Sequence, residues 1–162
     1  MNSWAKRVAV ATIAVWAGSC SAMPHDGENR GGETWQPLFD GRTLNGWTPK
    51  IRGFALGDNY RDTFRVRDGA IVVSYDRYDN FGERFGHLFY NDAIRGPYRL
   101  RLEYRFLEEH PSDTPNWAIA NSGVMIYGQD PKTMAVDDSF PVSVEAQLLG
   151  PAPGQERFNG NM

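Results

Sequence analysis

Hydrophobic and polar residues alternate most regularly over residues 98–107, where every second position is apolar. The apolar positions are Tyr98, Leu100, Leu102, Tyr104 and Phe106, and the positions between them are Arg99, Arg101, Glu103 and Arg105. Successive side chains of a strand point to opposite faces of a sheet, so this period of two predicts a half-buried β-strand. Glu103 and Arg105 are then expected to face away from the core.

Two later segments carry the same kind of pattern. Within 140–150, Val142, Val144, Ala146 and Leu148 alternate with Ser143, Glu145 and Gln147. Residues 121–128 form a third predicted strand, which begins with turn-forming residues. If the three strands are neighbours in one sheet, five side chains gather in one groove: Glu103, Arg105, Asn121, Glu145 and Gln147. Any strand with one solvated face carries polar residues there, and surface ion pairs are common and weak, so solvation alone is the alternative explanation.

Turn signals divide the preceding part of the chain into shorter strands. Residues 64–75 predict a hairpin around Asp68-Gly69, and Gly86–Tyr90 predicts a further strand. The segment 108–120, which contains two prolines, predicts a loop. The pattern contains no amphipathic helix of usable length. We therefore expect a predominantly antiparallel, all-β domain of the sandwich or jelly-roll type.

Composition limits both the size and the partners of the protein. The chain has 162 residues, which is enough for one domain. It carries 17 Lys and Arg against 20 Asp and Glu, a net charge of -3. A nucleic-acid-binding protein is expected to present a basic face, so this balance argues against nucleic acid as a partner.

The N-terminus predicts a targeting segment. Lys6 and Arg7 precede an apolar run over residues 8–17, which is too short for a permanent membrane span but suits a signal peptide over residues 1–22. Residues 17–20, Ala-Gly-Ser-Cys, resemble a bacterial lipoprotein box, in which Cys20 would be lipidated, although Ala17 stands where Leu is usual. Cleavage after Ser19 or Ala22, with Cys20 incidental, is the alternative.

The predicted organisation follows from this leader. Residues 23–34, rich in glycine and charge, predict a flexible tether, and the folded domain begins at Trp35 and continues to Met162. We expect an exported protein of the periplasm or cell envelope, attached to the membrane if Cys20 is lipidated. Cys20 is the single cysteine of the sequence, so an intrachain disulfide is impossible.

Several motifs in the domain resemble one known family. They are Leu38-Phe39-Asp40-Gly41, Leu44, Gly46-Trp47, Phe64, Val66, Asp68-Gly69, residues 98–106, Asn121-Ser122-Gly123-Val124 and residues 145–150. In this order and spacing they are similar to the 3-keto-disaccharide hydrolase family, which is also described as 3-keto-glucoside 1,2-lyases and 3-keto-2-hydroxy-glucal hydratases. The resemblance covers residues 35–162. Members of the family continue with further strands, so the resemblance implies a domain that is incomplete at its C-terminus.

The resemblance implies a concanavalin A-like jelly-roll sandwich whose concave face binds sugar. It also implies hydrolysis, or elimination and hydration, of 3-keto-glycosides by a carboxylate base. Glu145 is the expected base or metal ligand, with Asn121 and Gln147 orienting the sugar. Arg105 is expected either to stabilise an enolate or to pair with Glu103. A carbohydrate-binding module without catalysis is the alternative function.

Three further expectations concern the surroundings of this site. His87 is either the proton donor, since histidine titrates near neutral pH, or a structural residue. Trp117 either stacks on sugar or caps the core. Asp130, Asp137 and Asp138 either bind a divalent ion such as Ca²⁺ through carboxylate oxygens or are only solvated.

Overall fold

The computed structural model describes residues 11–13, 35–107, 110–152, 154 and 156–157. Seven strands occur in these ranges: β1 (Ala11–Ile13), β2 (Trp47–Ile51), β3 (Phe64–Arg67), β4 (Ala70–Val73), β5 (Gly86–Tyr90), β6 (Asn121–Ile126) and β7 (Val144–Leu149). Helix is limited there to three single 3-10 turns: Tyr60–Asp62, Asn116–Ala118 and Pro131–Thr133. The all-β prediction is confirmed.

All strand pairs in this part of the chain are antiparallel. β4 lies between β1 and β3, β2 pairs with β5, and β6 pairs with β7. The prediction of a concanavalin A-like jelly roll concerns how such sheets stack, and it stays a prediction.

The hairpin predicted over residues 64–75 is present as β3 and β4. Its turn residues Asp68 and Gly69 both have positive φ, 51° and 76°. Two left-handed residues in a two-residue loop form the turn whose twist matches that of antiparallel strands, and Asp-Gly is a favoured pair for it. Local turn chemistry therefore sets the register of this hairpin.

The hydrophobic core is centred on Phe39 and Ile71. The residues that pack against this pair come from several elements and are half-buried: Leu38, Leu44, Trp47, Val66, Leu88 and Leu102. The Trp47 indole also donates a hydrogen bond of 2.9 Å to the Leu38 carbonyl. These contacts attach the β2–β5 sheet to the β3–β4 hairpin.

The predicted strand over residues 98–107 is wrong. Only Glu103 makes a bridge of the kind found in sheets, and the rest of the segment lies outside any strand. Burial follows the alternation only in part: Leu102 and Phe106 are half-buried while Glu103 and Arg105 are exposed. The other apolar positions, Tyr98, Leu100 and Tyr104, are exposed as well. A period of two reports which side each residue faces, whereas a strand also requires a neighbour that completes its ladder of hydrogen bonds.

The strand β2 was not predicted from the sequence. It contains Pro49, which lacks an N–H donor, and Lys50, which is only 2% exposed. Proline is tolerated in strands at sheet edges, and β5 is the single neighbour of β2 among the strands that the structure describes.

The predicted leader and tether fall mostly outside the described residues, and Cys20 lies outside them. β1 is the exception: its backbone pairs with β4, with Thr12 opposite Val72. Export and lipidation stay predictions. Among the described residues, no helix has both the length and the apolar character needed to cross a membrane.

Candidate functional site

The β6–β7 pair brings three of the predicted site residues onto one face. Met125 lies opposite Glu145, and Gly123 lies opposite Gln147. Residues directly opposite in an antiparallel pair share a face, and so do residues two apart on one strand. Asn121, Glu145 and Gln147 therefore project from the same side of this sheet.

Hydrogen bonds hold two of these side chains in place. The Gln147 side-chain amide donates to Asn121 Oδ1 at 3.3 Å, and Asn121 Nδ2 donates to the Trp117 carbonyl at 2.9 Å. This chain of contacts connects β7, β6 and the Asn116–Ala118 turn. It fixes two amide groups on the face that carries Glu145, and their role in orienting a sugar stays a prediction.

Glu145 is half-buried. Burial raises the pKa of its carboxyl above the ordinary value, because removing water disfavours the charged form. A raised pKa makes the carboxylate a stronger base, which suits a group that accepts a proton from carbon.

An open cavity of about 1390 Å³ lies in front of this face. It is lined by β5, by β6 and by Glu145 and Gln147 of β7, and it extends to apolar residues that pack against the core, among them Leu38, Trp47 and Leu102. Ligand cavities usually measure about 300 to 1,000 Å³, so this one has room for a sugar unit together with its substituent.

His87 also lines the cavity, but its Nε2 is already engaged. The ring donates from Nε2 to the Ser139 carbonyl, at 2.8 Å. Burial lowers the pKa of His87, the hydrogen bond to Ser139 opposes that effect, and the nearby Lys50 ammonium adds to it. A neutral ring whose proton is held by a backbone carbonyl is poorly prepared to act as an acid.

Glu103 and Arg105 are not brought to this face. Both are exposed, neither lines the cavity, and Glu103 is 3.9 Å from the guanidinium of Arg101 instead of pairing with Arg105. The following residue, Phe106, lies against Gly150, where a Cβ would meet its ring at 2.5 Å. Glu145 precedes Gly150 by five positions, which is a distance of roughly 16 Å along an extended chain. The expected five-residue groove is thus reduced to three residues.

Trp117 lies at the cavity as part of an aromatic group. It stacks on Phe85 with ring centroids 5.4 Å apart, and Phe85 contacts Phe140 at 4.9 Å. Trp117 is 51% exposed and Phe140 is 48% exposed. Phe85 covers part of the indole and half of the residue stays exposed. Stacking of Trp117 on a sugar stays a prediction.

Phe85 and Phe140 were not predicted as site residues. Their sequence signal is weak because each is a single aromatic next to turn or loop residues. Only the fold brings them to Trp117.

The acidic residues proposed for calcium make local contacts. Asp130 Oδ1 accepts from the Lys132 amide at 3.0 Å, and Asp138 Oδ2 accepts from the Ala135 amide at 2.7 Å. Within the described ranges, no group of three or more His, Cys, Asp or Glu side chains is suited to hold a metal ion. A divalent ion stays a prediction.

Comparison with known proteins gives one match. A family described as the 3-keto-alpha-glucoside-1,2-lyase-like domain matches residues 34–162. No curated protein and no solved structure matches the chain. The matched range includes β2 to β7, the cavity and Glu145, and it confirms the resemblance drawn from the sequence motifs.

Proposed function

Because the chain belongs to the 3-keto-alpha-glucoside-1,2-lyase-like domain family, we propose that it cleaves 3-keto-glycosides with Glu145 as the base. The observation that carries this proposal is the position of Glu145. It is a half-buried carboxylate on the wall of a large open cavity, beside the hydrogen-bonded pair Asn121 and Gln147. The family supplies the class of substrate, a carbohydrate.

The chemistry requires a base at one carbon of the sugar. A ketone at C3 acidifies the hydrogen on C2, and Glu145 takes that proton while the electron pair of the C–H bond delocalises onto the C3 oxygen as an enolate. When the enolate collapses, the C3 carbonyl re-forms and the former C2–H electron pair becomes the C1–C2 double bond. The C1–O bond breaks at the same time, and the aglycone oxygen leaves with the C1–O bonding pair and takes up a proton. Addition of water across the double bond completes a net hydrolysis.

The surroundings of Glu145 support this role. Its raised pKa increases its strength as a base toward a carbon acid, provided that the carboxyl stays ionised at the working pH. Asn121 and Gln147 offer amide donors and acceptors for sugar hydroxyls, and the exposed part of Trp117 suits a sugar ring. The enolate oxygen is the natural acceptor for an amide donor of this pair.

We assign His87 a structural role in this reaction. Its Nε2 proton is donated to Ser139, and its lowered pKa favours the neutral ring. The proton for the departing oxygen therefore comes from another source, and water has access through the open cavity.

Glu145→Gln tests the proposal. Glutamine keeps the shape of the side chain but cannot accept the C2 proton, so aglycone release from a 3-keto-glucoside should fall roughly 10² to 10⁴-fold. Affinity for the substrate should change little. Glu83→Gln is the matched control, because Glu83 is exposed, pairs with Arg52 and does not line the cavity, and it should retain activity.

The alternative function has a distinct outcome in the same experiment. If the protein binds unoxidised oligosaccharides at the Trp117 surface and releases no aglycone from any 3-keto-glycoside, it is a carbohydrate-binding module. If Glu145→Gln keeps near-normal turnover, another group is the base.

A further inference from the structure

Gly123 lies directly beneath the Glu145 side chain. The two residues are diagonal neighbours across the β6–β7 pair, since Glu145 opposes Met125 and Gly123 opposes Gln147. A Cβ at position 123 would lie 2.1 Å from Glu145 Oε1, 2.6 Å from its Cγ and 2.7 Å from its Cδ. Real Cβ atoms essentially never approach other heavy atoms so closely.

The overlap includes the base of the glutamate side chain as well as its tip. Cγ moves only if the side chain rotates about its first torsion or the strand shifts, so a small movement of the carboxyl would not relieve the contact. Any residue other than glycine at 123 therefore forces Glu145 out of its present position.

The backbone gives no reason for a glycine here. Gly123 is in the middle of β6 and is not among the residues with positive φ. Glycine weakens the interior of a strand, and it is found there when another group approaches the backbone closely. In β6 that group is the side chain of Glu145.

We infer that Gly123 is a positioning residue that lets Glu145 lie across β6 in the cavity wall, in the orientation its role as base requires. Only the expected loss of turnover rests on the proposed function. The position of the Glu145 side chain is a property of the fold and can be measured without turnover.

Gly123→Ala is the test. Alanine should displace Glu145 from the sheet toward solvent, so its pKa should fall toward the ordinary value for glutamate. Turnover of a 3-keto-glucoside should fall about 10²-fold, the size of effect expected when a catalytic group is misplaced by about 1 Å. The loss should appear in kcat more than in KM, and the acid limb of the pH profile should move to lower pH.

The Glu145 pKa is measured separately by NMR titration of its labelled side-chain carboxyl, assigned with Glu145→Gln. Gly128→Ala is the matched control: Gly128 follows β6, its φ is not positive, and a Cβ there would meet nothing within 4 Å. That variant should keep both the pKa and the turnover. An unfolded Gly123→Ala protein would be recognised by circular dichroism. The double variant Gly123→Ala/Glu145→Ala, which removes the Cγ and carboxyl atoms that a Cβ at 123 would meet, should then fold, and its failure to fold would refute the assignment of this glycine to Glu145.

The outcomes separate this inference from the proposed function. If the Glu145 pKa and turnover are the same in Gly123→Ala as in the unchanged protein, the positioning role is refuted. If the pKa falls in Gly123→Ala but Glu145→Gln retains turnover, Gly123 positions Glu145 and a different residue is the base.

Discussion

Glu145 loses part of its hydration when the chain folds, and this has a consequence for stability as well as for catalysis. Burial raises its pKa, which means that the folded protein holds the proton more tightly than the unfolded chain does. The contribution of this group to stability is therefore fully present below the ordinary glutamate pKa. It is lost as the pH rises through the raised pKa of the folded state.

A thermal comparison at two pH values tests this linkage. Glutamine does not ionise, so Glu145→Gln avoids the cost of burying a charge. The quantity to compare is the thermal midpoint of Glu145→Gln minus that of the unchanged protein. We expect this difference to be more positive at about pH 7.5 than at about pH 3.5. Because Glu145 keeps some exposure, the difference should be small.

The exposed Glu83 gives the comparison its control. Glu83→Gln removes an exposed carboxyl that pairs with Arg52, so this variant should not gain stability at the higher pH. A relative midpoint of Glu145→Gln that stays constant or falls between the two pH values would contradict the linkage.

The residues of the site differ in how far the sequence predicts them. Glu145 and Gln147 lie two positions apart on one strand, so their shared face follows from the geometry of any strand. Asn121 joins them because its strand pairs with β7 in the register that both patterns allow. Glu103 and Arg105 would join the site only if their segment formed a third strand beside β6 and β7. The pattern of one segment carries no information about which segment lies next to it.

At the scale of elements, the β3–β4 hairpin illustrates what local sequence can specify. Its Asp-Gly turn predicts both the connection and the register. Beyond the turn, Arg65 donates to both oxygens of Asp76, at 2.6 and 2.9 Å, with the two side chains 14% and 30% exposed. The hydrogen bonds from Arg65 lower the pKa of Asp76.

Asp76→Asn should weaken this hairpin. The loss should be about 1 kcal/mol at neutral pH, since bidentate, partly buried pairs exceed the usual value of surface ion pairs. A carboxyl with a lowered pKa contributes stability above its ordinary pKa and loses it as the pH falls through the lowered value. The difference between the two urea midpoints should therefore be largest at about pH 7 and should shrink as the pH falls below the ordinary aspartate pKa of about 3.9.

Asp79→Asn is the control for that measurement. Its partner is Arg61, at 2.8 Å, but these side chains are 79% and 38% exposed. Removing this pair should change stability less than removing the Arg65–Asp76 pair. Equal losses in the two variants would show that burial of the pair is not what matters.

The remaining elements show where local prediction stops. β2 contains a proline and a lysine, which are poor signals for a strand, and it forms because β5 pairs with it and Trp47 packs on the core. Residues 98–107 have the best alternation in the chain and form almost no sheet. In both cases the deciding factor is the neighbour in space, as expected when tertiary contacts override propensity.

At the scale of the whole molecule, segment 136–139 is attached to the β2–β5 sheet beside the cavity. The buried Lys50 donates from Nζ to the Val136 carbonyl at 2.9 Å and to the Ile51 carbonyl at 3.3 Å. The Gly53 amide donates to the same Val136 carbonyl at 2.8 Å, and His87 on β5 donates to Ser139. Phe140, which follows this segment, belongs to the aromatic group at the cavity.

This arrangement gives a buried lysine a structural role that its sequence context does not suggest. A charged side chain is expected on a surface, and it is tolerated inside only when its donors find acceptors. One acceptor is the carbonyl of the adjacent Ile51, and the other is the Val136 carbonyl, 86 positions away in the sequence. No pattern within either segment predicts that contact.

Lys50→Met tests whether this attachment holds the segment in place. Methionine keeps the unbranched apolar stem but cannot donate, so the Val136 carbonyl loses one donor while the packing is largely retained. A typical hydrogen bond contributes about 1 kcal/mol, so local opening should become easier by roughly five- to tenfold. Hydrogen exchange at the Gly53 amide reports that opening.

Lys132→Met removes an exposed lysine from the same region and should leave the exchange unchanged. If the Gly53 amide exchanges at the same rate in Lys50→Met as in the unchanged protein, the attachment does not depend on the lysine. The hydrogen bonds of Gly53 and His87 are then sufficient to keep segment 136–139 against the sheet.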